Sequence, residues 1–197
     1  MKVILASQSP RRRELLSHMG VSFDVIVRGV DEYFPKQLAP VDAVRYIAEN
    51  KAAVFKTEIT DELVIAADTI VVIEGQILGK PKDRVDAVEM LTRLSGKKHE
   101  VITAVALLHK GSVHTFHEVT EVYFRKLTEG EMGYYVDHYR PYDKAGGYGI
   151  QEWVGMVAIE KIVGSYTNVV GLPTQQLYHI LKTTYPGALV STDDYKG

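Results

Sequence analysis

Short apolar runs alternate with amphipathic stretches along this chain, and the alternation predicts its elements. "KVILA" at 2–6 reads as a strand. Ser9 then caps a helix with Pro10 in its first position, and Gly20 ends it after Met19. "FDVIV" at 23–27 predicts a strand, 28–40 a loop, and 42–57 a helix. "LVIAADTIVVI" at 63–73 is β-branched and apolar on both faces, the pattern of a central buried strand. "EG" at 74–75 is a hairpin turn, from which "QILGK" returns. Asp83 caps a helix over 84–94. Strands at 99–109 and 113–124 form a second hairpin around "KG", and Thr128 opens a helix to Tyr139. Residues 140–151 are irregular, "GMVAIEKIVG" at 155–164 predicts a strand, and Pro173 starts a last helix. The polar tail "STDDYKG" is expected to fray. Interleaved helices and strands with long hairpins predict a mixed, partly antiparallel twisted sheet with flanking helices, an α/β fold.

With 197 residues, the whole of 1–197 is expected to be a single domain with room for two lobes. A net charge of -2 argues against a general nucleic-acid or membrane-surface binder, so any anion site must be local. There is no cysteine, which excludes disulfides, zinc-thiolate sites and a thiol nucleophile. The N-terminus has no signal-peptide pattern, and no apolar run reaches the ~18 residues of a membrane span. A cytoplasmic location is expected.

Candidate chemistry lies where polarity interrupts the apolar pattern. On the first helix Leu15, Leu16 and Met19 form a stripe that includes Arg12, with Arg11 at its edge and Arg13 and Glu14 pointing away. Two cations therefore face inward at a helix N-terminus, where the macrodipole is already positive. With the hydroxyls of Ser7 and Ser9 and the free backbone N–H groups, the turn suits an anion such as phosphate. Lys51 sits within the apolar face Val44, Ile47, Ala48 and Phe55. It either snorkels to the rim or points into a polar cleft.

Asp68 breaks an eleven-residue apolar run, and a carboxylate there needs a cation, a metal or several hydrogen bonds. With a two-residue turn at 74–75, Lys80 lies opposite Thr69 and diagonal to Asp68, and Pro81 stops the returning strand. A phosphate site calls for Mg²⁺, which is held by one or two carboxylates and phosphate oxygens; Glu32, beside Asp31 in a loop, is the candidate partner of Asp68. The chain has no P-loop, no G-x-S-x-G and no H-E-x-x-H. His114 and His117 point to opposite faces of one strand, so these and His109 are read as surface residues. The tyrosines of 134–148 are read as core or loop anchors.

The segments "ILASQSPRRRELL", "DE" at 31–32, "ENKA" at 49–52, "AADTIV" at 66–71, "LGKPKD" at 78–83, "LSGKKHEVITAVAL" at 94–107, "DKAGGYGIQ" at 143–151 and "GSYTNVVGLP" at 164–173 stand in the order found in one family. By them the chain resembles the Maf-type nucleoside triphosphate pyrophosphatases, in particular the branch acting on dTTP and UTP. The resemblance implies water attack between the α- and β-phosphates, a divalent cation (Mg²⁺ or Mn²⁺), a cleft between two lobes, and a homodimer. It implies that Asp68 is the proton acceptor, that Glu32 joins it at the metal, and that Lys80 belongs to the catalytic group. Ser7, Arg11, Arg12 and Lys51 match the phosphate-contacting set, and Arg12, Thr69 and Gln151 match positions linked with choice of base. After Gln151 the chain departs from the family pattern with "EWVGMVAIEKI", and the resemblance implies that Glu152 and Trp153 border the base pocket. A non-catalytic nucleotide-binding regulator of cell division, a phosphate-binding structural module, and a pyrophosphatase preferring another or a modified nucleotide stay open as alternatives.

Overall fold

The apolar run that predicts a central strand is β3, Leu63–Ile73, inside a seven-stranded sheet of order β2-β1-β3-β5-β6-β7 with β4 paired to β3. This computed structural model describes residues 1–189, and the tail expected to fray lies outside them. β1 (Val3–Leu5) runs parallel to both β2 (Asp24–Val25) and β3, whereas β4 (Gln76–Leu78) is antiparallel to β3. β5 (Lys98–His109) and β6 (Ser112–Phe124) are the long hairpin, and β7 (Ile159–Val163) pairs antiparallel with β6. The sheet is mixed, as the sequence predicts.

Turn chemistry fixes the β3–β4 register. Glu74 and Gly75 both have positive φ, the signature of a tight two-residue hairpin, and Val71 pairs with Leu78 as that turn requires. The returning strand is shorter than expected: β4 ends at Leu78, so Lys80 lies beyond the ladder. The Gly79 carbonyl instead accepts from Gly146 N–H at 2.9 Å, which takes the chain out of the hairpin before Pro81.

The chain forms two compact units. The first comprises Met1–Asp68, Ala104–His117 and the chain from Gly171 onward; the second comprises Thr69–Thr103 and Glu118–Val170. In the first unit, Leu16 of α1 (Pro10–His18) and Leu177 and Leu181 of α7 (Thr174–Thr184) share a core with Val3, Leu5, Leu63 and Ile65. α2 (Pro40–Ala53) buries Val44, Ile47 and Ala48 on one face. Pro173 caps α7 rather than opening it.

In the second unit α3 (Arg84–Leu94) starts at Asp83, whose carboxylate caps Asp86 N–H, and packs on α4 (Glu129–Tyr139). Thr128 and Glu131 form a reciprocal capping box at the start of α4. Buried His99 meets Tyr148 Oη at 2.7 Å and lies edge-on to Phe124. The strand predicted from 155 is helical at first: α5 spans Trp153–Ala158 and only then does β7 begin. The N–H groups of Gly155 and Met156 both donate to the Glu152 carbonyl, starting a helix that buries Val154 and Ala158. A continuous apolar run alone does not distinguish this helix from a buried strand. The short α6 (Tyr166–Val170) falls in a segment with no clear period.

Candidate active site

The first turn of α1 is arranged as its sequence predicts. Arg11 and Arg12 are half-buried, while Arg13 and Glu14 are exposed. Ser9 Oγ accepts from Arg12 N–H, and buried Ser7 Oγ accepts from Ser9 N–H at 3.3 Å and from Arg12 Nη1 at 3.3 Å. Arg12 Nε donates to the Gly171 carbonyl at 2.8 Å. Burial pushes the Arg12 guanidinium pKa down, the field of Asp68 opposes this, Arg11 adds to the fall and Glu32 opposes it. The cation is thus tolerated at a positive helix end by acceptors of its own chain and two carboxylates, before any ligand arrives. The Gly171 carbonyl is a partner that sequence reading gives no signal for.

Lys51 lies on the last turn of α2, and its ammonium does not snorkel away. Nζ stands 2.7 Å from Glu32 Oε1 and 2.7 Å from Asp68 Oδ1. Side-chain exposure is 17% for Lys51 and 13% for Asp68, against 47% for Glu32. The acid that interrupts β3 therefore has the cation it needs, and the loop acid Glu32 converges on the same point. Ser7, Arg11, Arg12, Glu32, Lys51 and Asp68 all belong to the first unit.

Thr69, Lys80 and Gln151 belong to the second unit. Thr69 Oγ1 is 2.9 Å from Thr103 Oγ1, and Thr103 donates to the Asn168 carbonyl at 2.9 Å. A carbonyl only accepts, so the single Thr103 proton is committed there and Thr69 is the donor in the threonine pair. Gln151 is exposed in the turn before α5. The Glu152 carboxylate turns toward Tyr135 and Lys144, and Trp153 lies edge-on to Tyr134 at 5.0 Å. Tyr135 and Tyr148 are buried anchors; Tyr134 is 44% exposed.

Within the first unit the site offers cations and an anion-ready helix start beside a carboxylate, the components for binding and hydrolysing a phosphoanhydride. Among the described residues no cluster of three His, Asp or Glu side chains could hold a metal by itself. Glu32 and Asp68, meeting at one ammonium, fit a different pattern: two carboxylates that hold a Mg²⁺-type ion jointly with phosphate oxygens.

A family model described as Maf-like protein matches residues 2–184. A relative from Bacteroides fragilis, named dTTP/UTP pyrophosphatase, is 52% identical over 183 residues, which is 92% of this chain and 95% of the relative. One of the same name from Flavobacterium psychrophilum is 45% identical over 186 residues, 93% of this chain and 95% of the relative. Among solved structures, a HAM1 protein from Coxiella burnetii has a TM-score of 0.51 over 92% of this chain and 98% of that one, at 14% identity, a likeness of fold.

Proposed function

The chain belongs to the Maf-like family, and from that membership we propose that it hydrolyses dTTP and UTP to the nucleoside monophosphate and pyrophosphate. The names of its relatives support the substrates. The single observation that carries the chemistry is the Lys51 ammonium held 2.7 Å from both Glu32 and Asp68.

A triphosphate brings about four negative charges, and their repulsion of an attacking oxygen must be offset before hydrolysis. Arg11, Arg12, Ser7 and the N–H groups at the start of α1 supply donors for phosphate oxygens. Two of the three Lys51 donors are engaged among the described residues, which leaves one for a phosphate oxygen. Lys80 adds a further cation. Asp68 accepts a proton from the attacking water, and its bond to Lys51 fixes the direction of its oxygens. Glu32 and Asp68 would hold a Mg²⁺ or Mn²⁺ ion, which when bound supplies charge neutralisation and a more acidic water.

Arg12, Thr69 and Gln151 select the base. The Thr69 hydroxyl oxygen accepts from the N3–H of uracil or thymine, a donor that cytosine lacks. The chain works as one functional domain and as a homodimer in the cytoplasm, without nucleic-acid or membrane partners. A net charge of -2 does not suit a general nucleic-acid or membrane-surface binder.

The test is pyrophosphate release from a panel of normal and modified nucleoside triphosphates with Mg²⁺ or Mn²⁺. Release from dTTP and UTP ahead of the purine and cytosine nucleotides is expected. Nucleotide binding without release contradicts the reading and favours a non-catalytic regulator.

A further inference from the structure

The turn that carries Gln151 is tied at both ends to one buried side chain. The Glu152 N–H donates to the Gly149 carbonyl at 3.0 Å, closing a four-residue turn with Ile150 and Gln151 at its crown. Gly149 N–H, at the first end, donates to Tyr135 Oη at 3.0 Å. Tyr135 O–H in turn donates to Glu152 Oε2 at the other end. The phenol sits on α4 and is fully buried, and burial together with the bond to Glu152 pushes its pKa up, so it remains a donor. Glu152 Oε1 meets Lys144 Nζ at 3.0 Å, and the same ammonium donates to Asp143 Oδ1 at 2.7 Å.

Two glycines make room for the arrangement. A Cβ on Gly149 would stand 3.0 Å from both Glu152 Cδ and Lys144 Cε, whose side chains close over it. A Cβ on Gly155 would overlap the Ile150 carbonyl, so only glycine lets α5 pack directly against the crown of the turn. The exposed crown residue, Gln151, lines an open hollow of about 590 Å³ together with Met156 and Tyr166.

We propose that Tyr135 and Glu152 are positioning residues that set the aim of the Gln151 carboxamide, and through it the choice of base. This rests on the reading of Gln151 as a base-contacting residue. A carboxamide reads a pyrimidine edge through one donor and one acceptor together, and a shift of the turn by ~1 Å breaks that pairing. Glu152 supplies the clamp for the residue just before it.

The test compares kcat and KM for UTP and dTTP in Tyr135→Phe, Glu152→Gln, Gln151→Ala and the double variants with Gln151→Ala. In the single clamp variants KM is expected to rise roughly ten-fold with kcat within about two-fold, the worth of one misaligned polar contact. In the Gln151→Ala background the clamp substitutions are expected to add nothing further, an outcome that a merely structural role would not produce. Glu152→Gln keeps the shape of the side chain, so a folding defect in Tyr135→Phe does not decide the matter. If Gln151→Ala itself leaves KM unchanged, the base-contact reading fails and the clamp's role falls with it. If Gln151→Ala raises KM while Glu152→Gln does not, or if the clamp losses persist undiminished in the Gln151→Ala background, the clamp proposal alone is overturned.

Discussion

Lys51 and Asp68 form an ion pair at 2.7 Å in which the two side chains are only 17% and 13% exposed. The ammonium ends α2 and the carboxylate interrupts β3, so each explains the other's presence among apolar residues. Glu32 shares the same nitrogen. Lys51→Met removes the ammonium that the two carboxylates share. The expected loss is roughly 2 kcal/mol of folding stability in urea melts, below the 3–5 of a fully buried pair, together with a large rise in KM for nucleotide. A variant as stable as the parent would contradict the pairing.

Arg12 and Arg13 are adjacent but face opposite ways, one half-buried and bonded to Ser7 and Gly171, the other exposed. Arg12→Ala is expected to weaken binding of a non-hydrolysable triphosphate about ten-fold or more, the loss of one charge-assisted hydrogen bond. Arg13→Ala is expected to leave affinity within about two-fold, as a solvated surface charge should. Calorimetric titration separates the two.

Thr103 commits its proton to the Asn168 carbonyl, and that fixes Thr69 as its donor. Thr103→Val removes the acceptor of the Thr69 proton. The kcat/KM ratio of dTTP over dCTP is expected to fall roughly ten-fold, because a site built around a hydrogen bond loses selectivity when that bond is no longer directed. An unchanged ratio would remove Thr69 polarity from base choice.

His99 is buried, and burial lowers its pKa to about 3. The folded state keeps the ring neutral while the unfolded chain takes up a proton below about pH 6.5. Between those limits the unfolded state binds more protons, so stability falls as pH falls, by about 1.4 kcal/mol per pH unit well below 6.5. His99→Gln is expected to flatten this slope between pH 6 and pH 4 in denaturant titrations. An identical slope in both proteins would place the acid sensitivity elsewhere.

Much of this was legible in sequence where local chemistry and global packing agree. β3 is recognisable because only Asp68 and Thr69 interrupt its apolar run, and the carboxylate among them marks the site. Asp83, Thr128 and Glu131 announce their helices through caps that need only neighbouring N–H groups. The inward face of Arg12 follows from helical period alone. Long-range partners leave no such trace. The Gly171 carbonyl that holds Arg12 is distant in sequence, and the Gly146–Gly79 bond that ends β4 before Lys80 depends on a loop with no period. α5 was hidden because the continuous apolar run Met156, Val157, Ala158 and Ile159 reads as a buried strand, while the close approach of Gly155 to Ile150 depends on the turn before the helix. The strand predicted over 23–27 shortens to β2, Asp24–Val25, and both of these residues are exposed.

The central claim is that Asp68 takes the proton of the attacking water, and the most direct measurement is single-turnover pyrophosphate release from dTTP by Asp68→Asn. The account predicts a folded protein that binds nucleotide and releases pyrophosphate at least about 10²-fold more slowly than the parent, the low end for a positioned base. Release at a near-parental rate from that variant would contradict it.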